Sequence, residues 1–187
     1  VITTADRRFW DMTDPFVREY LTDKVIRFLQ RYDIGYLKID YNDNIGIGCD
    51  GAESYGEGLR QRVQATQQFI REVRNQLPHL VIENCSSGGH RLEPSMLQLT
   101  SMSSFSDAHE CAEIPIIAAN LHRAMLPRQS QIWAVLRKED SERRLTYSLA
   151  NTFLGRMCLS GDVFDLSKEQ WDIVDKSIAL YKRVAPT

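Results

Sequence analysis

Residues 36–42 alternate as an extended strand does, with Leu37, Ile39 and Tyr41 on one face and Lys38, Asp40 and Asn42 on the other. The polar face sets a cation, a carboxylate and an amide in a row, roughly 7 Å apart. A parallel strand covered on both sides reads as an unbroken apolar run, so these three groups face water or a ligand. One wet face is also ordinary in an antiparallel sheet, but the flanking pattern argues for alternating strands and helices. Upstream, residues 9–12 have the pattern of a strand end. Asp14-Pro15 then offers an N-cap and a proline at the first helical position. Val17, Leu21, Val25, Phe28 and Tyr32 recur at helical spacing, which predicts a helix over 14–33 stopped by Gly35.

A polar loop over 43–58 carries Gly46, Gly48, Gly51, Gly56 and Gly58. The next helix is expected over 59–76, with Val63, Phe69, Ile70, Val73 and Leu77 inward and Pro78 closing it. Strands follow at 80–85, 101–107, 131–136 and 157–162, and helices at 92–99, 113–127 and 139–154. In the third strand Ser101, Ser103, Phe105 and Asp107 would share a face. Ser167, with Gln170 three residues on, predicts a capping box for a last helix. This order predicts an α/β fold with a parallel sheet. Polar residues gather at the C-terminal strand ends (Asp40, Asn42, Cys85, Asp107, Asp162), the end that carries chemistry in a (β/α)₈ TIM barrel. Five strands and the tail of a sixth would make the chain a partial barrel domain over 1–187.

Composition narrows the partners. The 187 residues are 43% hydrophobic and 26% charged, with a net charge of −2 and both signs interspersed, so neither nucleic acid nor an anionic membrane is expected. No apolar run approaches the roughly 20 residues of a membrane span. Cys49, Cys85, Cys111 and Cys158 form no CxxC pair, which points away from zinc or a disulfide framework and towards a reducing, cytoplasmic setting. Val1 is not an initiator methionine, so the chain is read as a piece of a longer protein, for which a homo-oligomer stays open.

Asp40 and Asp107 end strands two apart in order, so a barrel rim would hold them across a cleft the width of one sugar ring. Glycoside hydrolysis needs two such carboxyls, one nucleophile or base and one acid. Lys38 would keep Asp40 ionised, and Glu110 would raise the acid Asp107. Rival motifs are weaker. Asp40-Tyr41-Asn42-Asp43-Asn44 opens like an EF-hand, but Ile45 and Gly51 stand where glycine and glutamate belong. Ser86-Ser87-Gly88-Gly89 lacks the GK[ST] of a P-loop. Asn84-Cys85-Ser86 fits a glycosylation sequon at a strand end. A lone Asp107/His109 pair is a poor metal site, and Cys85 has no histidine placed to activate it.

Together these stretches resemble glycoside hydrolase family 36, the α-galactosidases. Lys38-Ile39-Asp40-Tyr41-Asn42 is similar to the family's K-x-D-x-N on the fourth barrel strand, and Glu83-Asn84-Cys85-Ser86-Ser87-Gly88-Gly89 to its E-N-C-x-S-G-G on the fifth. Ser106-Asp107 matches the S-D of the sixth, and Asp11-Met12-Thr13-Asp14-Pro15 its D-x-[ST]-[ND]-P lead. Arg7 or Arg8 would correspond to the family's arginine before the third strand. Here Ala108-His109-Glu110 replaces the usual D-x-D pattern after Asp107. The resemblance implies the barrel from the end of strand 3 through strand 8 and its helix, and a retaining α-glycosidase for terminal α-galactosides. Asp40 would be the nucleophile and Asp107 the acid/base. Lys38 and Asn42 would bind ring hydroxyls, while Cys85, Gly88 and Gly89 shape the pocket, with no cofactor or metal. An α-N-acetylgalactosaminidase, a transglycosylase or a non-catalytic carbohydrate-binding barrel would keep the same residues.

Overall fold

The computed structural model describes residues 2–3, 8–42 and 52–185. Five strands, β3 (Tyr36–Asp40), β4 (Val81–Cys85), β5 (Met102–Ser104), β6 (Ser130–Leu136) and β7 (Arg156–Gly161), form one parallel sheet whose spatial order is its sequence order. A doubly wound sheet reverses direction midway. Successive neighbours without reversal instead wind one way, which puts every connecting helix on the same face. The core follows that rule. Leu37, Ile39 and Ile82 pack with Val17, Ile26, Leu29, Phe69, Ile70 and Val73. Ala134, Leu136 and Leu159 pack with Leu145, Leu149 and Val174. The opposite face carries Lys38, Asp40, Glu83, Ser104 and Gln131, with Met102, Trp133 and Val135 among them. This is the wall of a (β/α)₈ barrel, and the alternation read over residues 36–40 survives in it.

The helix predicted over 14–33 forms in three pieces: α1 (Pro15–Leu21), a π turn (Thr22–Ile26) and α2 (Arg27–Arg31). Asp14 caps it by accepting from Phe16 N at 2.9 Å. The π turn holds an extra residue, which rotates everything after it about the axis. The buried set therefore runs Val17, Ile26, Leu29, and Phe28 and Tyr32, expected inward, are 51% and 58% exposed. Termination also differs from expectation. Asp33, not Gly35, takes the left-handed backbone, with φ 50°.

The long helix α3 (Tyr55–Gln76) starts four residues before the predicted boundary, through Gly56 and Gly58. Ser54 accepts from Glu57 N at 3.2 Å, and this cap outweighs the weak helix propensity of the glycines. Val63, expected inward, is 41% exposed. Residues 43–51, which hold most of the predicted loop and the remainder of the EF-hand-like stretch after Asn42, lie outside the described residues, as do Arg7 and Cys49.

Short helices α4 (Pro94–Leu97) and α5 (Ile114–Leu121) cross from β4 to β5 and from β5 to β6. Ser141 caps α6 (Glu142–Asn151), and the capping box of Ser167 and Gln170 opens α7 (Lys168–Val184). The strand end expected over 9–12 is not in the parallel sheet. Arg8–Phe9 (β2) pairs antiparallel with Ile2–Thr3 (β1). Beyond it Asp11 Oδ1 accepts from Thr13 N (3.1 Å) and Thr13 Oγ1 (2.7 Å), turning the chain into α1. No helix among the described residues is long and apolar enough to cross a membrane.

Candidate active site

The register sets Lys38 beside Glu83 and Asp40 beside Cys85, because β3 and β4 pair in parallel from Tyr36↔Val81 onward. Glu83 was not among the expected site residues, yet it is the centre of the polar face. Its side chain is 1% exposed. It accepts from Tyr36 Oη on β3, from Ser104 Oγ on β5 at 2.5 Å and from Gln131 Nε2 on β6 at 3.1 Å. Lys38 Nζ lies 3.4 Å away. Four strands thus converge on one carboxylate. Lys38, expected to hold Asp40 ionised, makes its ion pair with Glu83 instead, because the residue across the ladder is nearer than the residue two along.

Burial pushes Glu83's carboxyl above the usual glutamate range, against the hydrogen bonds from Ser104 and Gln131 that favour the anion. The stability consequence has a definite sign. A raised folded value means the native state keeps a proton that the unfolded chain has released, so this contribution is complete at low pH and fades as pH climbs past about 4.3 towards the raised value. Urea unfolding of the natural protein carrying this sequence, compared with Glu83→Gln from pH 4 to 8, should show wild type losing ground to the variant as pH rises. A constant difference would show that the carboxyl is not raised.

Above Glu83 sits Cys85, 1% exposed. Burial raises its thiol; donors at Ser104 and Gly88 and the charge of Lys38 work against that, while the hydrogen-bonded Asp40 carboxylate adds to it. Cys158 on β7 is raised by burial and then by Glu83. Neither thiol is prepared as a thiolate. Asp40 itself is exposed at the C-terminal end of β3. A cavity of about 400 Å³ opens beside it at the edge of β3, lined by Trp10, Lys38, Asp40 and Tyr41 and, on the helix side, by Leu37, Ile39, Phe69 and Ile70. A wider open hollow of about 960 Å³ lies against α6, by Cys111, Arg144 and Tyr147, and holds neither aspartate.

The turn after β4 joins the two aspartate-bearing ends. Ser86 Oγ donates to Tyr41 O at 2.6 Å, and Asn42 Oδ1 accepts from Ser87 N at 3.0 Å. Asn42 therefore braces the turn through its oxygen, leaving Nδ2 for any hydroxyl. On the far side, Gly88 has φ +73°, and a Cβ there would lie 2.4 Å from Ser106 C and 2.5 Å from Asp107 N. A Cβ on Gly89 would lie 2.4 Å from Phe105 O. The two glycines let backbone rest on backbone, directly under Asp107.

Asp107 lies three residues past β5, exposed on the same C-terminal rim as Asp40 with β4 between them. The expected strand over 101–107 is shorter than predicted. It stops at Ser104, and Ser106 Oγ accepts from Ala108 N at 2.9 Å to turn the chain, so the shared face does not extend to Phe105 or Asp107. Ser104, not Ser103, reaches the polar face; Ser103 accepts from Asn84 Nδ2 at 3.1 Å. Glu110, expected to raise Asp107, is held by Arg144 at 3.0 Å. Arg144 also meets Asp140, four residues before it, at 2.9 Å, whereas its reach to Glu110, 34 residues away, is not revealed by spacing along the chain. Asn84 of the sequon is 1% exposed and out of reach of a glycan. Among the described residues no three His, Cys, Asp or Glu side chains are grouped to hold a metal ion.

The family model described as Melibiase matches residues 2–187. Alpha-galactosidase 2 of Pediococcus pentosaceus is 29% identical over 109 residues, 57% of this chain and 15% of its own length. Alpha-galactosidase 1 of the same organism is 24% identical over 190 residues, 94% of this chain and 25% of its own. Among solved structures, the alpha-galactosidase from Lactobacillus brevis superposes with a TM-score of 0.81 at 20% identity, over 92% of this chain and 24% of that one. Variants of AgaA from Geobacillus stearothermophilus, with stachyose and with raffinose bound, give 0.77 and 0.79 at 19% and 20% identity, over 93% of this chain and 25% of theirs. The chain spans a quarter or less of the length of the curated relatives it matches. With its barrel wall and a family match across residues 2–187, the chain belongs to the Melibiase family, that of the family 36 α-galactosidases.

Proposed function

We propose that the natural protein carrying this chain hydrolyses terminal α-galactosides with retention of configuration. One observation carries the reading: Asp40 and Asp107 stand on one rim, either side of β4, in a chain of the Melibiase family. The stachyose and raffinose bound to AgaA variants support an oligosaccharide as substrate. In the first step an Asp40 oxygen bonds to the anomeric carbon as the glycosidic C–O bond breaks, and Asp107 gives its proton to the departing oxygen. Water then enters, Asp107 takes its proton, and the bond to Asp40 breaks. Lys38, 40% exposed and turned to Glu83 on one side, keeps donors for a ring hydroxyl. Cys85 stays protonated and fills the pocket floor as a neutral group.

A panel of nitrophenyl glycosides tests this. The α-galactoside should turn over fastest, and NMR should show α-galactose before mutarotation. First-formed β-galactose would remove the double displacement. Faster cleavage of the N-acetyl-α-galactosaminide would change the sugar and leave the mechanism standing. Galactose binding by calorimetry without turnover would make the barrel a carbohydrate-binding module.

A further inference from the structure

We propose that Trp133 is a positioning residue for Asp107, acting on the proton-transfer step alone; the inference rests on the acid/base role assigned above. Trp133 lies on β6 between Ile132 and Ala134, which are buried with the helices, so alternation turns the indole to the polar face. Gln131, two residues before it on that face, reaches Glu83. From this place the indole Nε1–H donates to Ala108 O at 2.7 Å. The ring stands edge-on to Phe105, centroids 5.3 Å apart at 72°, and stacks with His109 at 6.1 Å and 28°. The segment 105–109, with Asp107 at its middle, is therefore gripped by one side chain at Phe105, Ala108 and His109, before and after the carboxylate.

The other side of the segment is fixed as well, by the backbones of Gly88 and Gly89. Phe105 is buried with Ile114, Ala118, Ile132 and Val135 at the start of the segment, and Ser106 Oγ accepts from Ala108 N within the turn. Asp107 is exposed and Glu110 is turned away to Arg144, so neither burial nor its nearest carboxylate fixes where the Asp107 carboxyl points. The indole supplies the long-range hydrogen bond that holds the stretch after Phe105. Nothing ties Trp133 to Asp40 in the same way, since Asp40 is placed by β3 and its ladder to β4. Loss of the anchor should thus impair proton donation and leave nucleophilic attack intact.

Leaving-group dependence separates these. A dinitrophenolate departs without a proton, whereas a sugar alcohol needs one, so a misplaced acid slows only the second. Trp133→Phe keeps a ring and deletes the N–H. In the natural protein its kcat/KM should fall less than about threefold on 2,4-dinitrophenyl α-galactoside and at least about 30-fold on raffinose, a fraction of the range general acids contribute. His109→Ala removes an exposed ring, so it serves if Trp133→Phe is unstable. It should show the same asymmetry, about three- to tenfold on raffinose. Equal losses on both substrates, or none on either, would overturn the proposal. Asp107→Ala is the benchmark: if it lacks the asymmetry, the acid/base assignment itself fails, whereas asymmetry there and not in Trp133→Phe or His109→Ala defeats only the role of the indole.

Discussion

Asp40→Ala, in the natural protein carrying this sequence, removes turnover of an aryl α-galactoside by roughly 10⁴-fold or more, as loss of a covalent nucleophile does elsewhere. Added azide restores part of the rate, and the product identifies the face. With the Asp40 carboxylate gone, azide enters from its side and displaces the aglycone once, giving β-galactosyl azide. In Asp107→Ala the ester on Asp40 still forms, azide attacks it from the opposite side, and the product is α-galactosyl azide. The two variants thus report which carboxylate stands on which side of the ring. The same anomer from both, or full activity in Asp40→Ala, would remove the assignment. Asp40 is exposed at the end of its strand, its neighbour Cys85 stays a neutral thiol, and Lys38 is paired with Glu83.

Gly88→Ala should be the most damaging change that touches no ionisable group. The backbone at φ +73° is strained for alanine by about 1–3 kcal/mol. The new methyl would also overlap Ser106 C and Asp107 N, which are backbone atoms and cannot swing aside. The segment bearing Asp107 must shift, and a displacement near 1 Å at a reacting group costs about 10²-fold in rate. Activity on raffinose and the urea midpoint should therefore fall together. Gly35→Ala is the control, since nothing lies within 4 Å of a Cβ there. It should hold activity and gain about 0.4–1 kcal/mol by restricting the unfolded chain. Wild-type raffinose turnover in Gly88→Ala would show that the turn does not position the acid.

Patterns carried by one element could be read from residues alone. The alternation of Leu37 and Ile39 against Lys38 and Asp40 survives in β3, and the Ser167–Gln170 box opens α7 as expected. Errors arose where one element's geometry depends on something outside the pattern. The π turn at Thr22–Ile26 moves Phe28 and Tyr32 to the surface, and no periodicity announces it. Ser54-x-x-Glu57 was a visible cap, masked by the glycines around it. Closeness in sequence pairs Lys38 with Asp40 and Glu110 with Asp107. The fold pairs them with Glu83 and Arg144, 45 and 34 residues away. Glu83 itself sat in a quoted motif, but its importance comes from Tyr36, Ser104 and Gln131, which only the assembled sheet brings together.

That meeting point bears on how the domain folds. Its bonds close loops of 47, 21 and 48 residues, and the one from Gln131 skips over β5, so the carboxyl is fully satisfied only after four strands have docked, which makes its completion late. It also acts as a check on alignment. A slip of one residue in any of these strands would swing its polar group to the helix side and an aliphatic one towards the carboxylate, leaving a buried acid unanswered and the mispaired intermediate free to dissolve.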